Sequence, residues 1–181
     1  PAPAVVAMID PVPAQAAMLN SCTRLFRGAS YGAFDGAPPA QPLHSALATP
    51  YAHTTAPLRR LVDRYSGEVC LAICAGRPVP DWVRAALPGL PPVMAASDAR
   101  AKKYERGILD LVEALVLQGH VGETFTGVVI DLDPRGGAGT VQLHDPAVEA
   151  RVEGAVSLGA QIRVRLVAAD LASGQVLFQA V

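Results

Sequence analysis

The chain has 181 residues, of which 51% are hydrophobic and 17% charged, and its formal net charge is −1. That balance excludes an intrinsically disordered chain and leaves room for one or two domains with a real core. It also excludes bulk positive charge as a means of holding nucleic acid, so any such grip has to come from a local groove. The three cysteines, Cys22, Cys70 and Cys74, are too few and too scattered for a disulfide framework. Cys70 and Cys74 stand four apart in a helical pattern, yet no Cys-x-x-Cys and no nearby histidine completes a zinc set. The expectation is buried thiols in a reducing cytoplasm. No apolar run reaches membrane-spanning length, and the N-terminus lacks the basic region of a signal peptide. A chain that starts on Pro1 is expected to be a processed or trimmed part of a longer protein.

Residues 1–12 are rich in Pro and Ala and suggest an extended lead-in with one strand over Val5–Ile9. Pro13 opens a helix to about Arg27, with Met18, Leu19, Cys22, Leu25 and Phe26 on one face and Gly28 as its stop. Residues 28–56 carry Tyr31, Phe34, His44 and Tyr51 among many Gly, Pro and Ala residues. This reads as a long irregular segment with one short strand near Leu43–Ala48, and long loops in compact domains tend to be functional.

The run from Tyr51 to Tyr65 follows. Leu58, Leu61, Val62, Tyr65, Val69, Ala72 and Ile73 fall at i, i+3, i+4, i+7, one face of a helix. Pro57 suits a first helical position, and Thr54 or Thr55 suits the cap before it. Arg59 and Arg60 would then leave the first turn, where backbone amides and the dipole already favour anions. A guanidinium fork adds bidentate binding of phosphate oxygens. The same spacing also suits an ordinary exposed ion pair between Arg59 and Asp63, which is worth only a few tenths of a kcal/mol.

The helix is expected to run to about Ala75 and to stop at Gly76. A short helix over Asp81–Leu87 holds Trp82, and one long helix spans Val93 to Gln118. Tyr104, Ile108, Leu111 and Leu115 are its expected core stripe. The other face carries Asp98, Arg100, Lys102, Lys103, Glu105 and Arg106, a pattern that fits an RNA path or a solvated surface. After Gly119 the period changes to two. Thr124–Ile130, Gly139–Leu143, Ala147–Val152, Gln161–Val167 and Gln175–Phe178 read as five short strands, with turn signals between them. Five such strands suggest a small closed barrel. Arg163 and Arg165 share one face of their strand, opposite Ile162, Val164 and Leu166. Phe125 and Phe178 are the barrel's aromatic residues, so base stacking there should be weak.

The order of residues from Tyr51 to Asp63 resembles the signature of the RNase II (RNB-domain) exoribonucleases, Tyr-Thr-His-Phe-Thr-Ser-Pro-Ile-Arg-Arg-Tyr-Ala-Asp. Tyr51, His53, Thr55, Pro57, Arg59, Arg60 and Asp63 match as they stand. Leu58 and Ala56 replace an isoleucine and a serine, and Thr54 and Leu61 stand where that family has aromatic residues. The run His44-Ser-Ala-Leu-Ala48 is similar to the family's His-Phe-Gly-Leu-Ala segment. The resemblance implies an α+β fold. Residues 1–118 would be the C-terminal portion of an RNB-type catalytic domain, and residues 119–181 an OB-type RNA-binding barrel. It implies a 3′-to-5′ exoribonuclease that releases nucleoside 5′-monophosphates from single-stranded RNA, using Mg2+ held by an aspartate cluster.

Before Tyr51 the acids are Asp10 and Asp35, far apart, so the magnesium ligands are expected outside this chain. The chain alone would then be inactive, with the missing N-terminal portion as its partner. Arg59 is the candidate catalytic residue, expected on the scissile phosphate. Arg60, His53, Thr55, Arg163 and Arg165 are the candidate RNA contacts, although Arg60 better suits holding the backbone or the helix and His53 equally suits packing. The alternative is a non-catalytic RNA-binding or scaffolding module derived from such a protein. An incomplete catalytic domain also predicts a large exposed apolar surface on the helices of residues 13–118.

Overall fold

A computed structural model describes residues 13–26 and 30–181. The strand expected over Val5–Ile9 and the stop at Gly28 lie outside the described residues. In chain order the elements are α1 (Pro13–Thr23), the strands β1 (Leu43–His44) and β2 (Thr49–Pro50), α2 (Leu61–Cys74), α3 (Asp81–Ala86) and α4 (Leu90–Leu117). Then come β3 (Thr124–Leu132), β4 (Ala138–Leu143), β5 (Glu149–Glu153), β6 (Gln161–Asp170) and β7 (Gln175–Ala180). The fold is α+β, as expected. The contacts define two compact units, one joining α1 to Tyr104–Val181 and the other comprising Gly28–Lys103. These units cut across the 118/119 boundary drawn in the sequence.

The five C-terminal strands close into a barrel in the order β3-β4-β5-β7-β6. β5 and β7 run parallel, and every other pair, including the closing pair β3–β6, is antiparallel. The period of two does the sorting, because alternate side chains point to opposite faces. Val141, Leu143, Val152, Val164, Leu166 and Phe178 are buried, while Arg151, Arg163 and Arg165 are exposed. Each fully buried aliphatic or aromatic side chain contributes about 1.5–3 kcal/mol. At Gly127 a Cβ would sit 2.6 Å from a Val141 methyl and 2.8 Å from the Gln142 carbonyl, so glycine lets β3 and β4 approach there.

Helices close this unit. Ala114 and Leu117, both fully buried, carry the last turns of α4 into the barrel core. The inward stripe of α4 therefore contains Glu113, Ala114 and Leu117. The expected stripe of Tyr104, Ile108, Leu111 and Leu115 is exposed, with Tyr104 at 72%. The reason is that the Glu113 carboxylate accepts the Glu149 amide (3.1 Å) and an Arg106 guanidinium N–H (3.0 Å). A second charged group, Arg106, also reaches the Glu149 carbonyl (3.2 Å). These bonds turn a polar face toward β5 and leave larger apolar residues outside.

Helix α1 departs from expectation in the same way. Met18 and Leu25 are exposed, and the buried residue is Ala17. Ala17, Asn20 and Arg24 (i, i+3, i+7) face β3. A bulge skips Ile130 in the β3–β4 register, and the Asn20 amide donates to the Ile130 carbonyl (3.0 Å). Arg24 pairs with Asp131 at 2.6 Å. A bulge that leaves a carbonyl outside the ladder thus selects the polar side of the helix.

In the other unit β1 and β2 form a hairpin whose turn holds Ala48 at φ 53°. Val62, Tyr65 and Val69 on α2 are half-buried and Ala72 is buried, but Leu58, Leu61 and Ile73 are exposed. Tyr65 meets Trp82 of α3 edge to face at 5.5 Å. Cys22, Cys70 and Cys74 are exposed free thiols, contrary to the buried thiols expected. Exposed large apolar residues, as expected of the helices of residues 13–118, occur in each unit: Leu71 and Ile73 in one, and Met18, Leu115 and Val116 in the other. Among the described residues no helix is long and apolar enough to cross a membrane.

Candidate functional site

The arginine motif does not open the helix as its spacing suggests. The helix starts at Leu61, and Arg60 is its N-cap in an extended conformation (φ −120°, ψ 113°) without a side-chain cap. Residues 56–60 instead form a tight turn in which the Ala56 carbonyl accepts the amides of Arg59 (3.2 Å) and Arg60 (3.0 Å). Pro57 therefore belongs to the turn, and Thr55 caps nothing.

Asp63 holds this turn. It occupies the third helical position, where an acid commonly reaches back to the cap residue's own amide. Here its carboxylate reaches further, accepting the Ala56 amide at 2.7 Å. It also accepts Arg60 in bidentate fashion, from Nε and Nη2 at 2.9 Å each. Asp63 is 1% exposed and is a buried polar residue among the described positions. The Arg60 guanidinium, seconded by the Ala56 amide against the cost of burial, holds the Asp63 carboxyl below the usual carboxylate range. Arg60 also donates to the Thr55 hydroxyl at 3.3 Å. The i, i+4 pair expected between Arg59 and Asp63 is not formed, because Arg60 occupies both carboxylate oxygens.

The two arginines are thereby separated in role. Arg60 is fixed, with only 20% of its side chain exposed. Arg59 is exposed, beside the fully exposed Leu58, and has no side-chain partner among the described residues. The turn holds one cation inside and presents the next to solvent.

His53 stands beside this turn in a row of rings. Its Nδ1 lies 2.8 Å from the Tyr31 hydroxyl. Tyr31 and Tyr51 meet the imidazole edge to face at 5.6 and 5.2 Å, and His44 meets Tyr51 at 5.7 Å. Burial first, then the Arg60 charge, lowers the His53 pKa, which favours the neutral ring. Burial likewise pushes the Tyr31 phenol up. The link between Tyr31 and His53 spans 22 residues, and no spacing in the sequence could have signalled it. The buried role of Asp63 was also missed, although its place three residues after Arg60 is a capping-box signal.

Arg163 and Arg165 lie in the unit with the barrel, away in sequence from the turn. In register they stand opposite Thr126 and Thr124 of β3, and Arg165 also opposite Gln179 of β7. All five are exposed. Among the described residues no group of three or more His, Cys, Asp or Glu is placed to hold a metal ion.

Comparison with known proteins bears on the barrel first. Residues 123–181 match the model of the RNase II-type exonuclease C-terminal S1 domain. Among solved structures, the apo form of Mycoplasma genitalium RNase R is similar, with a TM-score of 0.61 at 14% identity over 76% of this chain. The same RNase R in complex with ribose-methylated single-stranded RNA gives a TM-score of 0.63 at 15% identity over 77% of this chain. Its complex with double-stranded RNA gives 0.54 at 15% identity over 72%. At such identity the likeness is one of fold. The chain spans about a quarter of the length of these RNase R chains: 26%, 26% and 22%. No curated protein sequence matches the chain. The likeness extends beyond the S1 barrel, because the matched share of this chain exceeds the barrel's 59 residues.

Proposed function

We propose that the chain is the phosphate-gripping and RNA-holding part of an RNase II-type exoribonuclease, which hydrolyses single-stranded RNA from its 3′ end to nucleoside 5′-monophosphates. The observation that carries this reading is the turn itself: Asp63 immobilises Arg60, and Arg59 stays exposed and has no side-chain partner among the described residues. A planar guanidinium held at a fixed turn can take two oxygens of the scissile phosphate and stabilise the charge that builds on them. Arg60 acts by shaping the turn. Thr55 and neutral His53 lie beside it as donors or acceptors for the ribose and backbone.

Magnesium would supply the activated water and the metal-held phosphate in such a reaction. The residues described here do not fit it. Asp63, the acid of the motif, is buried and saturated by Arg60 and Ala56, so the proposal assigns the magnesium ligands to residues beyond these 181. The S1 barrel supports RNA holding, with Arg163 and Arg165 as its contacts. The remainder of the protein is the required partner of the helical part.

The test uses the full-length protein with Mg2+ and end-labelled single-stranded RNA. Arg59→Ala should slow mononucleotide release by roughly 10²–10³-fold, the range for losing one donor to a developing anion. RNA affinity should change far less, and the melting temperature should not move. An unchanged rate would remove Arg59 from the chemistry. Tight RNA binding with no hydrolysis in the unmodified protein would favour the non-catalytic module instead.

A further inference from the structure

Small five-stranded barrels of this type commonly bind oligonucleotides on the face of their second and third strands and the loop between the first two. In this barrel that face is β4–β5 with the loop after β3. A cleft there is lined by Asp131, Asp133, Arg135, Thr140 and Arg151. Its acids are paired, while among the described residues Arg135 has no acidic side-chain partner. Arg151 lies 3.4 Å from Asp133 and 3.8 Å from Glu153, and Arg24, just after α1, pairs with Asp131 at 2.6 Å. A phosphate entering this cleft would meet two carboxylates, Asp131 and Asp133, each already paired with an arginine. The usual face therefore offers an anion one unmatched cation, Arg135, beside two carboxylates.

The outer face of β3–β6–β7 differs. Arg163 stands opposite Thr126, and Arg165 stands between Thr124 and Gln179. Neither arginine has an acidic side chain in hydrogen-bond range among the described residues. The acids flanking this row already have partners, Glu123 in His120 (3.1 Å) and Glu153 in Arg151 (3.8 Å). Residues two apart on a strand are about 6.8 Å apart. The row thus repeats a cation and a hydroxyl along an extended line. Thr and Gln side chains serve phosphate oxygens and sugars as readily as arginine does. The row has no aromatic member, since Phe178 is fully buried and Phe125 packs against the core. It can follow a backbone but cannot stack bases.

We infer that RNA crosses this barrel on the β3–β6–β7 face, held by its phosphates on Arg163, Arg165, Thr124, Thr126 and Gln179, and not on the β4–β5 face. The inference rests on the RNA-binding reading above. It is tested with this chain and short labelled oligouridylate and oligoadenylate, by measuring affinity against salt concentration. The double variant Arg163→Ala/Arg165→Ala should lower the slope of log K against log salt by roughly 1.4, at about 0.7 per phosphate contact. Arg151→Ala should leave the slope unchanged, and the two oligonucleotides should bind within a few-fold of each other. Unfolding curves of each variant check that the barrel persists. A slope lost in Arg151→Ala but kept in the double variant would move the RNA to the β4–β5 face and overturn the inference. So would a preference of tenfold or more between the two bases. No measurable binding of either oligonucleotide by the unmodified chain would overturn the RNA-binding reading itself.

Discussion

The barrel and the arginine turn solve the same problem, fixing a short backbone segment, by opposite means. The barrel does it with apolar burial: ten residues of its core cluster, from Ala114 to Phe178, are under 7% exposed, and its charges lie outside. The turn does it with a carboxylate: within Gly28–Lys103 the fully buried side chains include Asp63 alongside Val83, and large apolar residues such as Leu58, Leu71, Ile73 and Trp82 face solvent. A core built on area tolerates change in proportion to the area lost. A turn built on one buried ion fails when either partner is removed, because the other is left unpaired.

The largest effect that would sharpen this contrast belongs to the barrel. Phe178→Ala should cost about 3–5 kcal/mol by leaving a cavity at its centre. Denaturant unfolding followed by strand signals would show it, and a loss below about 1 kcal/mol would mean that the barrel does not depend on this packing. Next comes Asp63→Ala, which strands the Arg60 guanidinium and the Ala56 amide together. Hydrogen exchange at Ala56 should quicken by roughly tenfold or more while barrel amides stay protected. Equal loosening of both regions would break the comparison.

The two regions should also respond to pH with opposite signs. Asp63 titrates below its ordinary value of 3.8 in the folded turn. The unfolded chain therefore binds more protons in that window, and the turn loses stability as pH falls from about 4 through the folded value. Burial raises Glu113 above its ordinary 4.5, against the Glu149 amide and Arg106. There the folded state binds more protons, so the helix–barrel junction is most stable at low pH and weakens as pH rises through the folded value. Residue-level exchange between pH about 6 and about 3 would read both trends at once. Parallel trends would contradict the assignment. The smallest effect is expected at Leu58, which is fully exposed: Leu58→Ser should change stability by less than about 0.5 kcal/mol. A larger loss would show that another surface covers it in solution.

Legibility in the sequence followed the same division. The alternation Arg163-Val164-Arg165-Leu166 fixes which side of β6 is wet, because a strand has two faces and hydrophobicity chooses between them without knowing the partner. All five barrel strands were readable for that reason, and so was the Tyr51–Asp63 motif that separates this chain from a generic barrel protein. Helices α1 and α4 were found but oriented wrongly. A helix presents a continuum of faces, and Ala17–Asn20–Arg24 was chosen over Met18–Leu25 by one bulged carbonyl at Ile130. The last turns of α4 were chosen in the same way by the Glu149 amide.

The arginine turn shows the limit most clearly. The sequence alone determined that two adjacent arginines follow Pro57 at a helix start with an acid three residues on. Only the tertiary structure decided that Asp63 turns inward, takes Arg60 with it and starts the helix at Leu61, leaving Arg59 outside. The physical reason is that a buried carboxylate must satisfy its oxygens from whatever donors surround it. Here those donors are the Ala56 amide, brought close by the chain's reversal, and the Arg60 fork.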